Sequence, residues 1–466
     1  MAVAGAASMP LAAAGAPASA APVSIRIAPE RVLRTIPADF MGLGYEISSV
    51  ATPGLLSADN RAYVRLVRNL GREGVIRVGG NTSDFASYDA NGVAKALPKG
   101  SVVNDANLRE LRGFLDATGW QLIWGLNLGQ DNLANAIEEA KAIATIIGPR
   151  LLALEIGNEP DLFARAGHRP EGWDYAAWLA QYRRYKAAIR AALPRVPFAG
   201  PDIAMGSADW MQSFARDEGG DLTLLTAHHY IGGQAQPAST LETMLAQEKK
   251  YQPALAGFAA ASAASHLPYR LCETASFSGG GKAGVSDTFA AALWALDYLF
   301  VLAAAGCGGV NMETGVNHLG FISYYTPIGD DLAGHYSAAP EYYGLLAFAV
   351  NGRGDLLETT CDSGGVNLTA YATRPDRRTL LVTVVNKDQA ASAEVAIAPG
   401  GPVRDARALR LAAPSLTATA GVTLGGAAVD PERVWKPGQS ERLRIEGGSA
   451  LLTVAAGSAA LVQLSL

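Results

Sequence analysis

The chain has 466 residues, of which 49% are hydrophobic and only 17% charged, enough for a large domain plus a smaller one around a sizeable core. That balance excludes a disordered chain and a mainly solvated coiled coil. A net charge of −5 offers no basic surface for nucleic acid, and three cysteines without a CxxC pair give neither a disulfide framework nor a zinc site.

Residues 1–22 carry no charge and are mostly Ala, Gly, Pro and Ser. Three prolines and the weak hydropathy of alanine argue against a bilayer-spanning helix. Ala18-Ser19-Ala20 resembles the small-residue end of a signal peptide, although no basic segment precedes it. A leader or signal-peptide remnant is therefore expected, with a secreted or periplasmic location; the cytoplasm is the alternative. Residues 23–37 follow as an alternating strand. From about residue 40 to 315, short apolar runs at 41–47, 74–80, 121–128, 151–157, 198–203, 222–230, 269–274 and 309–314 alternate with helical patterns such as 132–147 and 175–193. Eight apolar strands alternating with helices predict an α/β fold, a (β/α)8 TIM barrel over residues 38–345. No GxGxxG follows the first strand, which sets aside a doubly wound sheet. The apolar stretch 289–306 contains Asp297 and reads as a buried helix, so no membrane partner is expected. Beyond it, over 346–466, short β-branched runs broken by Gly, Pro and Asp predict an antiparallel β-sandwich, to which the strand at 23–37 adds.

The C-terminal ends of barrel strands face the active site. Here those ends carry Glu46, Arg77, Asn81, Asn127, Asn158-Glu159-Pro160, His228-His229-Tyr230, Glu273 and Glu313. Strands four and seven lie across the barrel mouth from one another, so Glu159 and Glu273 can face a shared pocket. Glycoside hydrolysis needs such a pair, one carboxyl protonating the leaving oxygen and the other attacking the anomeric carbon or activating water. A single Glu is more often a surface charge, but each of these directly follows an apolar strand. Pro160 biases the residue before it towards an extended backbone. His228 and His229 are adjacent on a strand, point to opposite faces and cannot chelate a metal together, so no metal or cofactor is called for.

The segment from Leu154 to Pro160, containing Asn158-Glu159-Pro160, resembles the acid/base motif of retaining glycosidases with catalytic Glu on strands four and seven. The runs Cys272 to Gly281 and Ser286 to Ala291 are similar to the nucleophile region of glycoside hydrolase family 79, the β-glucuronidase and heparanase family. Ile76 to Phe85, Gly200-Pro201-Asp202 and His228-His229-Tyr230 match that family in the same order. The resemblance implies a barrel with a β-sandwich built from both chain ends, Glu159 as general acid/base and Glu273 as nucleophile. Glu159 then enters the reaction protonated and Glu273 ionised, with Arg77 as its cation and Tyr230 as a second donor. Asn158 would meet the sugar 2-hydroxyl, while Glu46 and Asn81 would line the terminal sugar pocket. The backbone N–H groups of Gly279 and Gly280 would bind the uronate carboxylate. For Asn127, Glu313 and His318 a structural hydrogen-bonding role weighs at least as much.

Ser278 stands where the family has a tyrosine, and a second family tyrosine is replaced near Val316-Asn317-His318. The loop after Tyr230 has no arginine, and no long insertion separates the early strands, unlike the heparan-sulfate-cutting member. The expected activity is removal of terminal β-linked glucuronic acid from a glycan or glycoside. The alternatives are an endo-acting, heparanase-like enzyme and a non-catalytic carbohydrate-binding protein.

Overall fold

The computed structural model describes residues 21–246, 252–315, 323–331 and 333–466. The leader expected over 1–22 lies outside them except for its last two residues, which begin a strand, and His318 with its neighbours 316 and 317 lies outside too.

Eight parallel strands form the barrel: Gly42–Glu46, Val75–Gly79, Gln121–Leu126, Leu151–Ile156, Ala199–Ile203, Leu224–Gly233, Tyr269–Ser278 and Gly309–Glu313. Around the ring the order is four, three, two, one, eight, seven, six, five. Strands four and five meet through one bridge, Leu154 with Phe198, which nearly closes the ring. The strands are buried along most of their length because their inner faces fill the barrel while helices cover the outer ones. Helix Asp105–Thr118 is representative of the outer layer. Asn104 and Asn107 cap its start reciprocally, Gly119 ends it at a φ of 86°, and Leu108, Leu111, Phe114 and Leu115 form its buried stripe. The sixth and seventh strands run to Gly233 and Ser278, beyond the expected ends at 230 and 274, and stay paired up to Gly233 with Ser278. This two-strand extension continues beyond Tyr230 and Glu273.

Helix Leu133–Ile146 carries a buried acid, Glu139, which accepts a 2.9 Å hydrogen bond from the Trp124 indole. Burial pushes its carboxyl up to about 7. The unfolded chain ionises this group from about pH 4.5, whereas the folded one keeps its proton until about 7. Stability is therefore fully present below the lower value and falls as pH rises through the interval, by up to about 3 kcal/mol. Glu139→Gln is expected to flatten the decline of Tm between pH 5 and pH 8, and an unchanged slope in calorimetry would refute this.

The rest of the chain builds one curled, eleven-stranded sheet around its own core. The first strand, Ala21–Ile36, pairs antiparallel with Gly354–Asp362 and parallel with Ala393–Ala398, so both chain ends contribute. Val23, Ile25 and Ile27 alternate inward to meet Val382, Val384, Val395 and Val462. Helix Pro340–Asn351 runs across the domain boundary expected at 345 and 346, and the sheet resumes at Gly354. The opposite face of the sheet abuts helix Phe289–Ala304, whose Asp297 pairs with Lys387 and accepts from Tyr371 (2.7 Å) and Thr369. That buried charge cluster fastens the sheet to the barrel. Among the described residues no helix is long and apolar enough to cross a membrane.

Candidate active site

The second barrel strand places Arg77, which is fully buried, at the centre of the mouth. Its Nη1 donates to Glu273 Oε2 at 3.0 Å, its Nε to Glu155 Oε2 at 3.3 Å, and its Nη2 to Asn158 Oδ1 at 2.8 Å and to Asp202. Burial opposes its charge, but Asp202, Glu155 and Glu273 together hold the guanidinium well above its ordinary value. Four side chains from three segments of the chain are thereby fixed by one planar fork.

Glu273 stands where the seventh strand is irregular. Its pairing with the sixth strand shifts between Leu271 and Glu273, and that with the eighth between Leu271 and Thr274. Such a bulge re-aims a side chain, here into the pocket. The other oxygen of Glu273 accepts a 2.6 Å hydrogen bond from the Tyr230 hydroxyl. Glu159 follows the fourth strand by way of Gly157 (φ 87°) and adopts φ 47°, ψ 52°. The extended backbone expected before Pro160 is thus not what forms. Glu159 N donates to Asp202 O at 2.9 Å and its carbonyl accepts from Leu162 N at 2.8 Å, and that tight turn holds a left-handed conformation costing about 1–3 kcal/mol. The turn delivers the carboxyl to the mouth, where atoms of Glu159, His228 and Glu273 all lie within 4.8 Å of one another.

His228 sits between two acids. Its Nδ1 is 3.0 Å from Glu159 Oε1 and its Nε2 is 2.8 Å from Asp202 Oδ1. Its strand neighbour His229 points the other way, to the Tyr298 hydroxyl at 2.6 Å. Burial disfavours the His228 cation, but Asp202 and Glu273, with hydrogen bonds to Asp202 and Glu159, raise the ring well above its ordinary value. The spacing of Glu159, His228 and Glu273 would suit a cation. Arg77 already supplies positive charge to Glu273 there.

A second acidic group lines the first and eighth strands. Glu46 accepts from Asn81 N (3.1 Å), Thr82 N (2.7 Å) and Thr82 Oγ1 (2.6 Å). Gly80, at φ 73°, lies so close that a Cβ there would come within 2.4 Å of the Glu46 carboxyl carbon. Burial and then the charge of Glu273 raise the Glu46 carboxyl. Glu313 is raised further, by burial and by Glu273 and Glu46, and its Oε2 has no hydrogen-bond partner among the described residues. Tyr325 is buried against Tyr230, with ring centroids 6.2 Å apart.

The expected site residues thus fall into three groups. Glu273, Arg77, Asn158 and Tyr230 are joined by direct contacts, and Glu159 reaches them through His228. Glu46 lies beside them with its oxygens held by the 81–82 backbone, while the Asn81 side chain is exposed at the rim. Gly279 and Gly280 form a turn with Gly281, all three at φ between 81° and 98°, where side-chain-bearing residues are strained. Tyr324 N donates to Gly280 O at 2.5 Å and Gly281 N donates to Phe277 O, while the N–H groups of Gly279 and Gly280 find no partner among the described residues. Asn127 is structural, joining Ala86 O and Gln130 N. Sequence reasoning did not assign roles to Asp202, His228, Glu155 or Tyr325. Asp202 and His228 lay within matched motifs at strand ends, which was the available signal; Tyr325 had none.

The chain is 30% identical over 375 residues to a β-glucuronidase of Aspergillus niger, the match covering 72% of this chain and 68% of that one. With a β-glucuronidase of Neurospora crassa it shares 28% over 342 residues, 63% of this chain and 59% of the other. Among solved structures, a 4-O-α-L-rhamnosyl-β-D-glucuronidase from Fusarium oxysporum matches with TM-score 0.74 at 21% identity, over 95% of this chain and all of that one. An α-L-arabinofuranosidase from Thermotoga maritima matches over the same shares with TM-score 0.71 at 14% identity. Both share the overall fold with this chain. No family model matches it.

Proposed function

Because the chain belongs to the β-glucuronidase family of its Aspergillus niger relative, a family of glycoside hydrolases acting on glucuronides, we propose that it is a retaining, exo-acting member of glycoside hydrolase family 79 that removes terminal β-linked glucuronic acid. The observation that carries this reading is the pair Glu159 and Glu273, with carboxyl oxygens within 4.8 Å of one another in unlike surroundings. Such close approach of one oxygen from each carboxyl supports the ~5–5.5 Å spacing of retaining enzymes over the ~6.5–9.5 Å of inverting ones.

In this reading Glu273, paired with Arg77 and fixed by Tyr230, attacks the anomeric carbon as a carboxylate. Glu159 gives its proton to the leaving oxygen as the glycosidic bond breaks. Esterification removes the charge of Glu273; Glu159, now a carboxylate, takes a proton from water as that water attacks the same carbon and Glu273 leaves. The Asn158 Oδ1 is committed to Arg77, which turns the amide N–H2 towards the role of 2-hydroxyl donor. The N–H groups of Gly279 and Gly280, without partners among the described residues, support the uronate contact, with the Gln234 side chain packed beside Gly279. Lys282 directs its Nζ to Gln234 O at 3.3 Å, and Arg77 is consumed by carboxylates, so neither supports binding of a sulfated chain. This favours exo action over a heparanase-like cut.

The test follows an aryl β-glucuronide by proton NMR beside the aryl β-glucoside and heparan sulfate. The β-anomer of glucuronic acid is expected first, the glucoside at least about 100-fold slower, and heparan sulfate unfragmented. An α-anomer formed first, equal rates on the glucoside, or internal fragments of heparan sulfate would each defeat the reading.

A further inference from the structure

His228 touches no substrate position in the mechanism above, yet it is the one described side chain that joins Glu159 to the buried network beneath it. Both ring nitrogens face carboxylate oxygens, Nδ1 at 3.0 Å from Glu159 Oε1 and Nε2 at 2.8 Å from Asp202 Oδ1. A neutral imidazole has one N–H and one lone pair, so it would satisfy both contacts only if Glu159 turned its proton onto the ring and away from the leaving oxygen. An imidazolium satisfies both. Asp202 is buried and cannot leave: its second oxygen is on Arg77, its backbone N–H on Thr226 Oγ1 (3.1 Å), and its carbonyl accepts the Glu159 N–H.

Taking Glu159 as the acid/base of the proposed reaction, we propose that His228 is a positioning residue, held by Asp202 as an imidazolium through the whole cycle, that donates its Nδ1–H to Glu159 Oε1 and leaves Oε2 as the atom that carries the catalytic proton. Before the first step Glu159 holds a proton on Oε2 and accepts from His228 on Oε1. When the Oε2 proton passes to the leaving oxygen, the resulting carboxylate is already paired with a cation. In the second step water returns a proton to Oε2. His228 neither gains nor loses one. Its function is to make Glu159 a readier acid without a cation that substrate would have to displace.

The charged and titratable groups around the ring are consistent with this assignment. Asp202 comes from the fifth strand, Glu159 from the loop after the fourth and Glu155 from within it, Glu273 from the seventh at 3.8 Å, and Glu313 from the eighth. Arg77, from the second strand, is the opposing cation, its Nη2 3.4 Å from Nε2. The acids outnumber it, and the ring is raised well above its ordinary value despite complete burial.

Two measurements test the assignment. In the wild-type protein, ring ¹⁵N resonances of His228 are expected to report both nitrogens protonated up to at least about pH 8, and a neutral-ring pattern at pH 7 would overturn the proposal whatever the substrate. In His228→Gln, kcat/KM is expected to fall roughly 10- to 100-fold for an alkyl or phenyl glucuronide but less than about 3-fold for 2,4-dinitrophenyl glucuronide, which needs no acid. Equal losses on both substrates would mean His228 is only structural. If the wild type cleaves no β-glucuronide, the proposed substrate is wrong, while the ring resonances still judge His228 by themselves.

Discussion

Glu273→Gln is expected to lower kcat on an aryl β-glucuronide by about five orders of magnitude, with folding intact. The amide is nearly isosteric; its oxygen can still accept from Arg77 while its N–H2 donates to the Tyr230 hydroxyl, which turns to accept, so thermal unfolding should move by only a few degrees. What disappears is the negative oxygen that bonds to the anomeric carbon. Added azide should not bring back a retained product, since azide entering on the face where residue 273 lies would displace the aglycone directly and give the inverted, α-configured azide. A variant that keeps more than about one per cent of wild-type kcat would show that Glu273 does not form the covalent bond. The same substitution also removes one of the acids facing Glu46 and Glu313, so both carboxyls should ionise more readily in the variant.

The barrel was legible because each of its strands is a local event: an apolar run, a polar terminus, then a helix with its own periodicity. The terminus rule then delivered Glu46, Arg77, Glu159, Tyr230 and Glu273 to one rim without any knowledge of contacts. Contacts themselves were another matter. Arg77 was expected to hold Glu273, but nothing in the chain announces that it also binds Glu155, Asp202 and Asn158, because those partners come from strands four and five and meet it only when the ring closes. His228 was weighed only as a metal ligand and set aside by the alternation of side chains. That alternation holds, since His229 turns to Tyr298, yet it also aims His228 alone between Asp202 and Glu159. Backbone detail was least accessible. A residue before proline ordinarily avoids compact conformations, and Glu159 adopts one because the Asp202 carbonyl and Leu162 N–H capture its peptide groups. In the sheet domain the runs were visible, but not that they form one continuous curled sheet, which depends on the first strand wedging between Gly354–Asp362 and Ala393–Ala398.

Glu159→Ala separates the two halves of the reaction. With a poor leaving group the first step loses its proton donor, and kcat/KM is expected to fall by roughly 10³- to 10⁴-fold. With 2,4-dinitrophenyl glucuronide the leaving group departs as an anion without help, so Glu273 is still glycosylated at close to the wild-type rate. Water then attacks without a base, the glycosyl-enzyme accumulates, and a burst equal to the enzyme concentration should precede a slow steady state. The substitution also opens a space beside His228 Nδ1, whose N–H loses its Oε1 acceptor. Azide is an anion that fits such a space and attacks carbon without giving up a proton. It is expected to raise the steady-state rate by about tenfold or more and to yield the β-configured glucuronyl azide, with one bond formed to nitrogen as the Glu273 ester breaks. An α-configured azide would mean a single displacement, and with it the pairing of these two glutamates as acid/base and nucleophile would fail.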